Sequence, residues 1–184
     1  STGGILVEKE SNANTTDTQA ATFDYGDLKI VWNHRTWGDM PDPDYPWAAT
    51  FYGEKGTLKA GVFKYEFFPR GKKEPAARGE PLYEYEKYPE DQTEKDLEKH
   101  CASAIRWHMK DFLSCIASRE KPVADIEQGY ISSASSILAN LSLQLGRTLT
   151  WDAAKGQVLG DDEANRLLRR PYRAPWVHPD PAKV

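Results

Sequence analysis

The sequence predicts an α+β protein in which helices pack on one face of an antiparallel sheet. In the first half of the chain, apolar and polar residues alternate in short segments. In the second half, the apolar spacing lengthens to three and four residues, as in an amphipathic helix. Strands followed by helices are typical of the α+β class. Nothing predicts the parallel strands of a Rossmann domain in this chain.

Residues 1–90 are predicted to be mainly sheet. The turn Gly26-Asp27 joins two alternating segments and predicts an antiparallel hairpin. The residues between Gly53 and Gly56 predict a second hairpin in the same way. The predicted strands are 4–9, 18–25, 28–37, 47–53, 56–61, 62–69 and 82–88, with an exposed loop over 70–81.

Residues 91–146 are predicted to form two helices. In the first, from about 94 to 118, Ile105, Met109, Phe112 and Ile116 follow each other at spacings of four, three and four. The second begins after Asp125, with Gln128 completing a capping pair, and ends at Gly146. Its predicted core face consists of Ala134, Ile137, Leu138, Leu141 and Leu145.

Residues 147–184 complete the single predicted domain, which spans 1–184. They are expected to form a short strand at 148–151, a short helix from Asp161 or Asp162 to Leu168, and an extended tail. Four prolines between Arg169 and Val184 predict the tail.

The composition excludes several classes of protein. A net charge of −4 without a basic face argues against a nucleic-acid partner. No apolar run approaches the roughly 20 residues that span a bilayer. Cys101 and Cys115 lie 14 residues apart on one predicted helix, about 21 Å, so they are interpreted as thiols of a reducing compartment. This predicts a cytoplasmic location, with an export signal upstream of Ser1 as the open alternative.

The residues predict neither a metal site nor a serine nucleophile. The four histidines are scattered without a pair at i, i+4, so no metal site is predicted. The serines early in the second helix are interpreted as small residues that permit close packing, because no base is placed to activate them. They are Ser132, Ser133, Ser135 and Ser136.

The end of the strand 28–37 offers the strongest candidate for binding. Its "WNHRTW" places an imidazole and a guanidinium between two indoles. Such groups recognise sugars and carboxylates through stacking and paired hydrogen bonds. Arg35, Trp37 and His34 are therefore the predicted substrate-binding residues. The structural alternative is a strand end with interface aromatics.

Two stretches of the second half resemble the C-terminal domain of the glucose-fructose oxidoreductase and inositol dehydrogenase family, in a bacterial branch. They are residues 108–152, "HMKDFLSCIASREKPVADIEQGYISSASSILANLSLQLGRTLTWD", and residues 160–176, "GDDEANRLLRRPYRAPW". Residues 18–37 and 51–61 are similar to strands of that family's sheet. The resemblance implies an N-terminal Rossmann domain elsewhere in the parent chain, which binds NAD or NADP and supplies a catalytic lysine. It also implies a large, open and mainly antiparallel sheet, a sugar or cyclitol-like substrate, and a homo-oligomer formed through that sheet.

The chain departs from that family at the groups that carry catalysis. It has no G-x-G-x-x-G turn, so no cofactor is expected to bind here. Glu120-Lys121-Pro122 has the letters of the family's catalytic motif, but it follows a helix and precedes the Asp125 cap. Lys121 is therefore interpreted as a turn residue, and the isolated chain is predicted to be inactive. The alternatives are a stand-alone dimeric scaffold and a non-enzymatic carbohydrate-binding domain.

Overall fold

The computed structural model describes residues 1–179, apart from the side chain of His100. Its helices and antiparallel strands confirm the α+β class, and every strand pair among these residues is antiparallel. The last five residues of the predicted tail, 180–184, lie outside the described residues.

The elements follow the predicted order of strands and then helices. In chain order they are β1 (Thr2–Gly4), β2 (Thr18–Asp24), β3 (Lys29–Arg35), β4 (Ala48–Gly53), β5 (Gly56–Gly61), β6 (Tyr65–Pro69), β7 (Ala77–Gly79), α1 (Glu90–Thr93), α2 (Lys99–Ser118), α3 (Ile126–Leu145), β8 (Trp151–Asp152), β9 (Gln157–Val158) and α4 (Asp162–Leu167). The described helices are all too short or too polar to span a bilayer.

Contacts divide the chain into two compact units. The first contains Ser1–Trp37 and the chain from Tyr130 onwards, and the second contains Gly38–Gly129. The single domain over 1–184 stays a prediction.

The described strands form three sheets, of three, four and two strands, instead of the one large sheet expected. Strands β3 and β4 each lie at the edge of their own sheet. The segment between them carries Pro41, Pro43 and Pro46, which lack the backbone N–H that a sheet ladder requires. The chain therefore leaves one sheet before the next begins.

In the first unit, the core lies where α3, the β8–β9 hairpin and α4 meet. Leu141, Val158 and Ala164 are buried there, and partly buried leucines and Trp151 pack around them. The Asn165 side chain closes this core. Its carboxamide accepts a hydrogen bond from the Val158 N–H and donates one to the Val158 carbonyl, each at 2.8 Å. The predicted core face of α3 is confirmed for Leu138, Leu141 and Leu145, whereas Ile137 is exposed.

In the second unit, the four-stranded sheet has one markedly apolar face. Phe51 lies opposite Leu58, which in turn lies opposite Phe67. Directly opposed residues of antiparallel strands point to the same face, so these three form one cross-strand row. On the other face, Tyr45 donates a hydrogen bond to the Glu66 carboxylate.

The segment 82–88 is not a strand, so that prediction is wrong. The Ser103 hydroxyl donates to the Leu82 carbonyl, and the Glu84 carbonyl accepts hydrogen bonds from the N–H groups of Lys87 and Tyr88. These contacts close a turn that leads into α1. The short strand β7 forms instead, within the segment predicted as a loop. The strand predicted at 4–9 is also shorter and earlier, at Thr2–Gly4.

Helix α2 forms over most of the predicted range, but its apolar face is exposed among the described residues. Ile105, Met109, Phe112 and Ile116 all have large accessible fractions. An amphipathic helix is stabilised by packing of that face, so the stripe calls for a partner that the described chain does not provide.

Candidate functional site

The structure separates the three predicted binding residues onto two faces of the β2–β3 hairpin. Successive residues of a strand point to opposite sides. His34 therefore shares a face with Trp32, and Arg35 lies on the other face. The register pairs Gln19 with His34 and Thr18 with Arg35.

On the first face, the Trp32 and His34 rings are stacked. Their centroids lie 5.8 Å apart and their planes differ by 7°. Phe23 and Ile30 lie directly opposite each other on the same face, one step along the hairpin. This face of the hairpin thus carries a continuous apolar and aromatic surface, which His34 ends.

On the second face, Trp37 is held by a hydrogen bond. Its Nε1–H donates to the Thr18 hydroxyl oxygen at 2.8 Å. The Arg35 guanidinium carbon lies 5.7 Å from the centre of the Trp37 ring, within the range of a cation–π contact. Arg35 and Trp37 are therefore brought together, and His34 is separated from them.

A groove lies between the first face and α3. Its volume is about 350 Å³, and hairpin side chains line one wall while small or polar helix residues line the other. The Tyr25 and Ser135 hydroxyl oxygens lie 3.5 Å apart across it. The lining residues are Phe23, Tyr25, Ile30, Trp32, Ser135, Ser136, Ala139 and Asn140.

Sequence reasoning missed the helix wall of this groove. The sequence indicates Ser135 and Ser136 only as packing residues and gives no signal for Asn140. More than 100 residues separate this wall from the hairpin, so residue spacing carries no signal of their proximity. The one available signal is the alternation along β3, which places Trp32 and His34 on a common face.

A second groove, of about 490 Å³, lies in the other unit along α2. Its most prominent charge is already paired. Arg106 donates from Nη1 to Asp91 at 3.0 Å and from Nη2 to the other carboxylate oxygen, and its guanidinium lies 3.9 Å from the centre of the Tyr88 ring. The hydrogen bond from Arg106 lowers the pKa of Asp91. This cluster holds α1 against α2, which is a structural role.

Lys121 lies in the turn between α2 and α3, as its sequence context predicts. Its ammonium nitrogen is 3.1 Å from a Glu127 oxygen and 3.3 Å from an Asp125 oxygen. The hydrogen bonds to Glu127 and Asp125 raise the pKa of Lys121, which keeps it protonated. Asp125 also accepts the Glu127 and Gln128 N–H groups at the start of α3.

The described residues do not fit a dinucleotide. Such a site needs a glycine-rich turn that leads from a parallel strand to a helix N-terminus, and the described strands pair only in antiparallel fashion. Among the same residues, no group of three or more His, Cys, Asp or Glu side chains is placed to hold a metal ion.

Comparison with known families gives one match. Residues 85–178 match the model described as the oxidoreductase family, C-terminal alpha/beta domain, of the Gfo/Idh/MocA group. The chain belongs to this family. No curated protein and no solved structure matches it. The matched range contains α1 to α4 and the β8–β9 hairpin, whereas β1 to β7 precede it.

Membership in the Gfo/Idh/MocA family makes this chain part of the C-terminal domain of an oxidoreductase. It implies an N-terminal partner domain in the parent protein, and that domain is where the cofactor binds.

Proposed function

We propose that this chain is the substrate-side and oligomerisation portion of an NAD(P)-dependent oxidoreductase that acts on a sugar or cyclitol-like alcohol. The N-terminal Rossmann domain of the parent supplies the nicotinamide cofactor and the catalytic lysine. The portion described here lacks a cofactor site, so it is inactive by itself. The two free cysteines favour a cytoplasmic location.

The observation that carries this proposal is the groove on the first face of the hairpin. It belongs to a chain whose family is an oxidoreductase, and its aromatic wall and polar helix wall are typical of small-molecule sites. Arg35 and Trp37, on the opposite face, remain the proposed contacts for a second part of the substrate or for the N-terminal domain.

The sheet of the second unit supports the oligomerisation role. Every residue of β4 is exposed, and the cross-strand row of Phe51, Leu58 and Phe67 begins on it. Apolar surfaces of this kind mark protein interfaces. We therefore propose that a second copy of the chain covers this face.

Two measurements test the proposal. The chain alone, mixed with NAD⁺ or NADP⁺ and a panel of sugars and cyclitols, is expected to form no reduced nicotinamide. The parent protein, with both domains on one polypeptide, is expected to form it with at least one of them. A parent protein that shows no turnover with any polyol would reject this function. Light scattering of the chain should give a mass above that of one 20.8 kDa copy.

The second candidate is a stand-alone dimeric binding or scaffold domain, including a carbohydrate-binding one. It is favoured by the fact that both walls of the groove come from this chain and from one compact unit. The length of the encoding gene discriminates the two. A reading frame about twice as long, with a G-x-G-x-x-G turn near its start, supports the oxidoreductase.

A further inference from the structure

We propose that α2 binds an acidic amphipathic helix of another protein, on the surface made by its exposed apolar stripe and the groove beside it. The stripe consists of Ile105, Met109, Phe112 and Ile116, and the groove lies between α2 and the turn 84–88. This inference goes beyond the proposed function, because it concerns a protein partner and not the substrate.

The apolar stripe has the length and spacing of a helix-packing seam. Its four residues follow each other at spacings of four, three and four, which is the pattern along which two helices pack. Each of them is 47% or more exposed. The stripe extends over roughly three turns of α2. A small molecule would cover only part of this surface, whereas a helix of similar length would cover all of it.

The groove extends the apolar surface to one side of the stripe. Leu113 is exposed, and it lines the groove together with Met109 and Trp107. The groove has a volume of about 490 Å³, so it has room for apolar side chains of a partner. Helices that bind in grooves insert apolar residues of one face in this way. The shape of the surface therefore fits an amphipathic helix.

Two lysines that line the groove give it a positive charge. The Lys87 ammonium lies 4.9 Å from the centre of the Tyr88 ring, and the Lys110 ammonium lies 4.9 Å from the centre of the Trp107 ring. Within the part of the chain that the structure describes, neither ammonium forms an ion pair. Carboxylates on one edge of a partner helix would supply the opposite charge, which favours an acidic partner.

The charge of α2 also argues against a second copy of this helix as the partner. Its 20 residues include the cationic Lys99, Arg106 and Lys110, and Asp111 is the one carboxylate among them. The Asp111 carboxylate already accepts a hydrogen bond from the Val123 N–H at 2.9 Å. Two copies of α2 packed together would bring like charges close to each other, which is unfavourable.

Peptide binding to the 184-residue chain tests the proposal. The probe is a fluorescein-labelled helical peptide of about five turns, with leucine at heptad positions a and d and glutamate at positions e and g. A matched peptide carries glutamine in place of every glutamate. By fluorescence anisotropy, the acidic peptide is expected to bind about tenfold more tightly than the glutamine peptide, and added salt should reduce the difference.

Variants of the chain locate the binding surface. Lys87→Gln combined with Lys110→Gln should weaken the acidic peptide about five- to tenfold and leave the glutamine peptide within about twofold. Lys73→Gln is the matched control, because Lys73 is exposed in the same unit and does not line the groove. Phe112→Ala should weaken both peptides about tenfold. Tyr52→Ala removes an 84% exposed ring from β4 and should leave both affinities within about twofold. Circular dichroism would confirm that the variants fold.

Several results would overturn the proposal. Equal affinity for the two peptides would show that the lysines select nothing, and unchanged binding to Phe112→Ala would place the peptide elsewhere. If no peptide binds and Phe112→Ala lowers the mass of the chain in light scattering, a second copy covers α2 instead. If the chain binds the acidic peptide and the parent protein does not, the N-terminal domain covers α2. Turnover by the parent protein is measured separately, so the proposed function stands or falls independently of these results.

Discussion

Arg147 and Asp161 form a two-point ion pair that joins the end of α3 to the start of α4. The guanidinium donates from Nε to one carboxylate oxygen and from Nη2 to the other, each at 2.8 Å. Asp161 also caps α4, because its carboxylate accepts the Ala164 N–H at 2.9 Å. One carboxylate thus fixes the two helices on either side of the β8–β9 hairpin.

This arrangement predicts a pH dependence for the stability of the first unit. The hydrogen bonds from Arg147 and then from Ala164 lower the pKa of Asp161 from 3.8 to about 2. A lowered pKa means that the folded state favours the charged form, so the stabilisation is present above the unfolded value and is lost as the pH falls towards about 2. Asp161→Asn should therefore be less stable than the parent at neutral pH, and the difference should shrink below about pH 4. Urea denaturation at several pH values measures it.

Glu163→Gln is the matched control for that variant. Glu163 accepts from the same Arg147 Nη2 at 2.7 Å, but it is more exposed than Asp161 and does not cap the helix. The Glu163→Gln variant should therefore lose less free energy of unfolding than the Asp161→Asn variant. An asparagine can still cap a helix, so Asp161→Asn mainly removes the charge. Equal losses in both variants, independent of pH, would contradict the role assigned to Asp161.

The core of the first unit predicts a larger loss of stability. Leu141 is 5% exposed and packs against Val158 and Ala164, so Leu141→Ala should lower the free energy of unfolding by about 2–5 kcal/mol. Leu167 is 46% exposed on α4, and Leu167→Ala should change it by about 0.5 kcal/mol or less. Urea denaturation followed by circular dichroism compares the two. Equal effects would show that Leu141 is not part of a closed core.

The sequence predicts the elements better than it predicts their association. Helix α2 and strands β2 and β5 are recognisable because their periodicity is a local property. The segment 82–88 alternates in the same way, but its carbonyl groups are satisfied by Ser103 and by its own turn. Ser103 lies outside the segment, so the alternation within 82–88 alone cannot distinguish a strand from this turn.

The candidate site shows the same limit. Because His34, Arg35 and Trp37 are neighbours in sequence, the sequence predicts one common site for them. Successive strand residues point to opposite faces, so the structure places His34 on one face and Arg35 and Trp37 on the other. The predicted helix–turn–helix around Lys121 explains its ion pairs, since Asp125 caps the next helix. The sequence does not predict the groove, because α3 and the hairpin are far apart along the chain and become neighbours only in the folded protein.

Lys121 should be dispensable for hydride transfer. Its ammonium pairs with Asp125 and Glu127 in an exposed turn, so it is committed to the protein surface. Lys121→Ala in the parent protein is expected to leave kcat and KM within about twofold, since exposed ion pairs contribute little. Steady-state kinetics with the parent's own substrate measures this. A fall in kcat of a hundredfold or more would restore Lys121 as a catalytic residue.

The last prediction concerns the apolar face of the four-stranded sheet. Phe51 is 54% exposed at the edge strand of this sheet, where it begins the row that continues through Leu58 and Phe67. If a second copy covers this row, Phe51→Glu would bury a charge without a partner, which is strongly unfavourable. The variant should therefore shift the chain towards the monomer mass in light scattering.

Thr50→Glu places the same charge on the opposite face of β4 and should leave the mass of the assembly unchanged, because alternate residues of a strand point to opposite sides. Dissociation by Thr50→Glu, with Phe51→Glu still assembled, would move the interface to the other face of the sheet.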